Sequence, residues 1–125
     1  MIEVEVENRS GVAVGAGEVA TFARAALAAE GIVEGDLGIA FVAADEMRGL
    51  KREHLGADEE TDVLSFPIDA REELPAGVPR QLGDIVICPD VVGDAWRWPL
   101  VHGLLHLLGY EHGAQMERRE EELVP

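Results

Sequence analysis

The segment His102-Gly103-Leu104-Leu105-His106-Leu107-Leu108-Gly109-Tyr110-Glu111-His112 holds three of the chain's four histidines within eleven residues. Histidines four apart share one face of a helix, so His102 and His106 can reach one ion together. If the helix simply ran on, His112 would lie roughly 9 Å further along the axis and about 120° around it. Gly109 is the residue able to turn the chain back, because glycine takes the left-handed conformation that ends helices without steric cost. Helix, glycine stop and returning histidine predict three nitrogens of a tetrahedral site. A fourth position left for water is the catalytic rather than the structural pattern for zinc. A lone histidine on an apolar helix is more often a core residue, but three around a well-placed glycine point to a metal.

Working outward, Leu100, Val101, Leu104, Leu105, Leu107 and Leu108 make this helix apolar almost all round, which predicts burial. Pro99 suits its first turn, and the helix is expected to reach about Leu108. Upstream, Asp84 to Cys88 is a short apolar run of central-strand character, ended by Pro89 and Asp90. Thr61 to Phe66 reads as a strand closed by Pro67. The polar segment from about Asp69 to Gln81, with Pro75 and Pro79, is expected to be the mobile loop. Nearer the N-terminus, Ile2, Val4 and Val6 alternate with Glu3 and Glu5 as in a half-buried strand. Glu18 to Glu30 carries Val19, Phe22, Ala23, Ala26 and Leu27 at helical spacing, and Gly31 supplies the stop. Leu37 to Ala43 predicts a further strand. Asp45 can cap a helix to about His54 with Met47, Leu50 and Leu55 on its inner side. A last helix is expected from Ala114 to Leu123. This order predicts a single α+β domain over residues 1–125: a mixed sheet of about four strands packed with helices, with the histidine helix buried at its centre.

At 125 residues the chain can bury a core without staples. Its lone cysteine, Cys88, excludes an internal disulfide and, in an apolar run, reads as a buried inert thiol. No basic-then-apolar leader and no apolar run near the ~20 residues of a membrane span are visible, so no membrane association and a cytoplasmic location are expected. The formal net charge is −15, from 25 acidic and 10 basic residues, which argues against unspecific attraction to nucleic acid. A local basic cleft remains compatible with it: Arg48, Lys51 and Arg52 cluster, and Arg80 and Arg97 stand apart from dense acid. The run from Glu117 to Glu122 reads as a solvated helix face.

Zinc held by neutral imidazoles keeps its full charge, acidifies water and polarises a carbonyl or phosphoryl oxygen, so hydrolysis is the natural reaction class. Zinc proteases of the HExxHxxGxxH type share the spacing, glycine included. Their general base follows the first histidine, and here that position is Gly103, which cannot accept a proton. Glu111 is the nearest carboxylate in sequence and the candidate proton acceptor. Tyr110 is expected to pack rather than to donate.

Three stretches resemble the YbeY family of bacterial endoribonucleases and rRNA maturation factors. His102 to His112 resembles the family's HGxLHLxGYDH signature, with Glu111 for the usual aspartate. Thr61-Asp62-Val63-Leu64-Ser65-Phe66-Pro67 resembles its TDVLSFP strand, and Leu82-Gly83-Asp84-Ile85-Val86-Ile87 its LGDIVI strand. The resemblance spans at least Asp45 to His112. It implies one zinc ion on His102, His106 and His112 in a mixed α+β domain with a cleft beside the sheet. It also implies a metal-dependent, single-strand-specific endoribonuclease acting in 16S rRNA 3′-end maturation and ribosome quality control. The implied partners are single-stranded rRNA or its precursor and the small ribosomal subunit or its proteins. The chain departs from the pattern where the family often has an arginine before TDVLSF: Leu55 stands there, preceded by His54 where a tyrosine is common. Lys51 and Arg52 lie one helical turn away, and Arg52 is the candidate replacement cation. The segment Asp90 to Leu100 is shorter than the family pattern. Alternatives are a ribosome-assembly factor with a mainly structural zinc, and a zinc protease-like hydrolase.

Overall fold

The computed structural model describes residues 1–53, 63–89 and 95–125. Four strands and four helices are among them: β1 (Ile2–Asn8), α1 (Ala16–Ala29), β2 (Gly35–Phe41), α2 (Ala44–Glu53), β3 (Val63–Pro67), β4 (Gln81–Ile87), α3 (Arg97–Leu107) and α4 (Ala114–Leu123). Leu55 and His54, the first two residues of the Thr61 motif and Asp90 to Asp94 lie outside the described residues.

The strands form one mixed sheet in the order β1-β2-β4-β3. β1, β2 and β4 run parallel, and β3 lies antiparallel on β4, with Val63 opposite Ile87 and Pro67 opposite Gly83. Pro67 belongs to β3 rather than closing it. An edge strand tolerates proline because one of its sides has no ladder partner. In β1 the alternation works as expected: Ile2, Val4 and Val6 turn inward and Glu3, Glu5 and Glu7 face water. β4 begins at Gln81, three residues before the apolar run suggests. Its first residues pair with β2 across a register shift at Asp36/Leu37, a feature that hydropathy does not display.

Helices α1 and α3 cover one face of the sheet. Val19, Ala23 and Leu27 of α1 and Leu100, Leu104 and Leu107 of α3 meet Leu37, Ile39, Phe41, Ile85 and Ile87 in the main core. α4 closes over the far side of α3 through Met116, which packs with Val101 and Leu105. α2 covers part of the opposite sheet face, where Met47 packs with Val42, Leu64, Val86 and the buried Cys88. α3 is therefore sandwiched between the sheet and α4. Leu100, Leu104, Leu105 and Leu107 are each at most 2% exposed. Burying each contributes about 1.5–3 kcal/mol, so packing alone fixes the helix.

Gly103 explains how closely α3 approaches the sheet. A Cβ built there would stand 3.0 Å from Ile85 Cγ2 and 3.3 Å from two further atoms of that side chain. Ile85 is fully buried, so its side chain would have to give by a few tenths of an ångström inside the core.

The segment expected to be the mobile loop is tied down. Arg80 donates to the carbonyls of Ala70 and Glu72, and the Gln81 amide donates to Asp69. No described helix is long and apolar enough to cross a membrane.

Candidate metal centre

α3 ends where the glycine predicts. Leu108 caps the helix and Gly109 takes φ +99°. The Tyr110 amide donates to the Leu105 carbonyl at 3.0 Å and the Gly109 amide to His106 at 3.0 Å. These two bonds make a Schellman turn, and Tyr110 and Leu105 join the same apolar cluster, the contact that accompanies that motif. The turn returns the chain so that His112 faces the two helical histidines.

The three rings converge. His106 Nε2 lies 3.2 Å from His102 Nε2 and 2.8 Å from His112 Nε2. One nitrogen from each ring falls within 4.8 Å of the others, and this is the cluster of potential metal ligands found among the described residues. Bonds of 2.0–2.1 Å in a tetrahedron put neighbouring nitrogens about 3.3 Å apart, so the pair on α3 already stands at ligand spacing.

The tautomers agree. His106 Nδ1 is 3.0 Å from the Tyr110 carbonyl oxygen. A carbonyl only accepts, so Nδ1 carries the proton and Nε2 of the neutral ring presents a lone pair. His102 Nδ1 is 3.4 Å from Glu120 Oε1, and a carboxylate likewise orients the ring. Two lone pairs facing one another at 3.2 Å repel unless positive charge lies between them. The donor set thus fits a divalent cation with nitrogen preference.

Glu120 corrects the reading of Glu117 to Glu122 as a purely solvated face. Its side chain is 14% exposed and turned to His102. Arg119 also turns inward and donates to Glu30 and to the Ala29 carbonyl. Glu30 is the hub of the surroundings. Its side chain is 4% exposed and accepts from Arg119 Nε, from the Tyr110 hydroxyl at 2.9 Å and from Arg71 at 2.7 Å. Tyr110 thus packs, as expected, and donates as well. Burial alone would push the Glu30 carboxyl up. The hydrogen bonds from Arg119 and Tyr110 and the two guanidinium charges outweigh it and hold the group below the ordinary carboxylate value. Burial and then Glu30 push the Tyr110 phenol up, so it stays a donor. The chain of contacts runs from Arg119 and Arg71 through Glu30 and Tyr110 to the carbonyl that holds His106.

A pocket opens beside His112, and Arg71, Tyr110 and Glu111 line it. Glu111 is exposed there, next to the third histidine. Arg52, at the C-terminal end of α2, is exposed and does not line this pocket; Arg71 does. The other isolated cations are engaged elsewhere: Arg97 with Glu18, Arg80 with the loop carbonyls.

The family model described as Endoribonuclease YbeY matches residues 5–124. The chain belongs to the YbeY family. An Endoribonuclease YbeY from Halorhodospira halophila is 45% identical over 101 residues, covering 70% of this chain and 66% of that protein. One from Salinispora tropica is 37% identical over 139 residues, covering 95% and 88%. The matched stretch spans about two thirds of the Halorhodospira relative and 56% of one from Tropheryma whipplei. A solution structure from Thermotoga maritima aligns with a TM-score of 0.53 and 23% identity over 98% of this chain and 86% of that one, a likeness of fold.

Proposed function

We propose that this protein is a zinc-dependent endoribonuclease that cleaves single-stranded rRNA. The reading places it in 16S rRNA 3′-end maturation and ribosome quality control, beside the small subunit in the cytoplasm. The observation that carries it is the convergence of His102, His106 and His112, whose Nε2 atoms come together at one place. The relatives named Endoribonuclease YbeY support the choice of phosphodiester over peptide.

When bound, zinc supplies polarisation of a phosphoryl oxygen and acidifies water. The chain's own residues do the rest. Glu111, exposed on the pocket beside His112, accepts the proton of the attacking water and returns one to the leaving oxygen. One P–O bond forms from water as one P–O bond of the backbone breaks. Arg71 lines the same pocket and offers charge to the non-bridging oxygens, a role for which Arg52, at the exposed end of α2 and outside that pocket, is the other candidate. Glu30 and Glu120 position the ligands without touching substrate.

The protease alternative fits poorly, because position 103 faces Ile85 rather than the cleft. A mainly structural zinc also fits poorly, since Schellman bonds and the Glu30 contacts hold the turn by themselves. The test is cleavage of a single-stranded rRNA precursor by zinc-loaded protein and by His102→Ala. Loss of cleavage in the variant supports the proposal; equal cleavage overturns it. A chelator that stops cleavage while the protein stays folded supports catalysis, and one that melts the fold supports the structural reading.

A further inference from the structure

Trp98 stands on the face of α3 that carries the two helical ligands. From Leu100 to Leu107, His102 and His106 are the residues that reach solvent; the others are buried. Trp98 is four residues before His102, so it lies about 6 Å along the axis and about 40° around it, on the side away from the Gly109 turn. Two tryptophans flank Arg97 and differ sharply. Trp96 is 6% exposed, meets Phe22 edge-on at 5.6 Å and receives the Arg97 guanidinium at 4.4 Å. Trp98 is 45% exposed. Among two tryptophans, one tyrosine and three phenylalanines, it is the aromatic side chain left in water. Core packing gives no account of an indole in that position. Its place in line with the ligands does.

We propose that Trp98 is a stacking platform for one base of single-stranded RNA, next to the phosphate held at the histidine centre. The proposal rests on the endoribonuclease reading above and adds the source of its strand preference. An indole face accepts any base, whatever the sequence, provided the base is free to leave its neighbours. A base inside a duplex is stacked on both sides and cannot offer that face. The chain carries a net charge of −15, so long-range attraction to RNA is weak, and a neutral contact is the kind that survives this balance. Trp98 touches neither the cation nor the reacting phosphate and is a substrate-positioning residue.

The test uses full-length zinc-loaded protein and a labelled single-stranded oligoribonucleotide, with wild type, Trp98→Ala, Trp98→Tyr and His102→Ala. Stacking on an aromatic ring is worth roughly 5- to 150-fold per base. Trp98→Ala is expected to raise KM on the order of tenfold with kcat and zinc content little changed, and Trp98→Tyr to restore most of the loss. In the His102→Ala background, adding the strand is expected to quench indole emission, and Trp98→Tyr to remove the quench. An unchanged KM in active Trp98→Ala, or binding without a quench, overturns the proposal and leaves the endoribonuclease reading intact. A wild type that cleaves no better than His102→Ala overturns that reading, and an oligonucleotide that fails to bind at all overturns both.

Discussion

Replacing Glu30 by glutamine removes a carboxylate that three donors share. Arg119, Tyr110 and Arg71 all point at it, and its side chain is 4% exposed. Breaking a buried ion pair by deleting one partner costs about 3–5 kcal/mol. The arginines here are 25% and 45% exposed, so water screens part of their charge. The amide also still accepts one bond while its NH2 faces a donor. An expected loss of about 2–3 kcal/mol follows, a large share of the 5–15 kcal/mol typical of a domain. At a urea slope of about 1.5 kcal/mol/M, the midpoint should fall by about 1.3–2 M. The same change frees Tyr110, whose carbonyl holds His106, so zinc affinity should drop by about tenfold. Urea unfolding followed by far-UV circular dichroism, together with competition for zinc against a chromophoric chelator, measures both. A midpoint shift under about 0.3 M with zinc affinity unchanged would refute the reasoning.

Glu120→Ala is expected to weaken zinc binding about 10–100-fold through loss of the contact to His102, with little change in the urea midpoint; competition for zinc checks it. Gly109→Ala forces a side chain into φ +99°. It should cost about 1–2 kcal/mol and disturb His112, which denaturation and zinc stoichiometry together would reveal. Acid should also find out Glu30. Its folded pKa lies below the ordinary 4.5, so its contribution is present above that value and disappears as pH falls through the folded pKa. Melting temperature followed down from neutral pH should drop in that range for wild type and drop less steeply for Glu30→Gln.

The convergence of the three histidines was legible because helical period and a glycine stop are local signals, and both the turn and the last helix, Ala114–Leu123, lie where the sequence puts them. The alternation in β1 and the apolar run of β4 were legible for the same reason. Long-range partners were not. Nothing near Glu30 in sequence announces Arg71, Tyr110 and Arg119, which arrive from 41, 80 and 89 residues away. Glu120 sits in a run of like charges, and only the docking of α4 on α3 separates it from its exposed neighbours. Arg71 was hidden in a polar segment read as mobile, because composition cannot reveal that Glu30 would hold it. A family resemblance drew attention to Arg52, whereas the folded chain places Arg71 on the pocket.

The contact between Gly103 and Ile85 has an evolutionary consequence. A single codon change at position 103 puts a Cβ 3.0 Å from a buried isoleucine, on the side facing the sheet rather than the cleft. Ile85 would have to give by a few tenths of an ångström, and relieving the contact by truncating it to alanine would leave a cavity in the main core costing on the order of 2–5 kcal/mol. The route from this scaffold to a peptidase of the glutamate type is therefore opposed by steric fit between helix and sheet, ahead of any question about substrate.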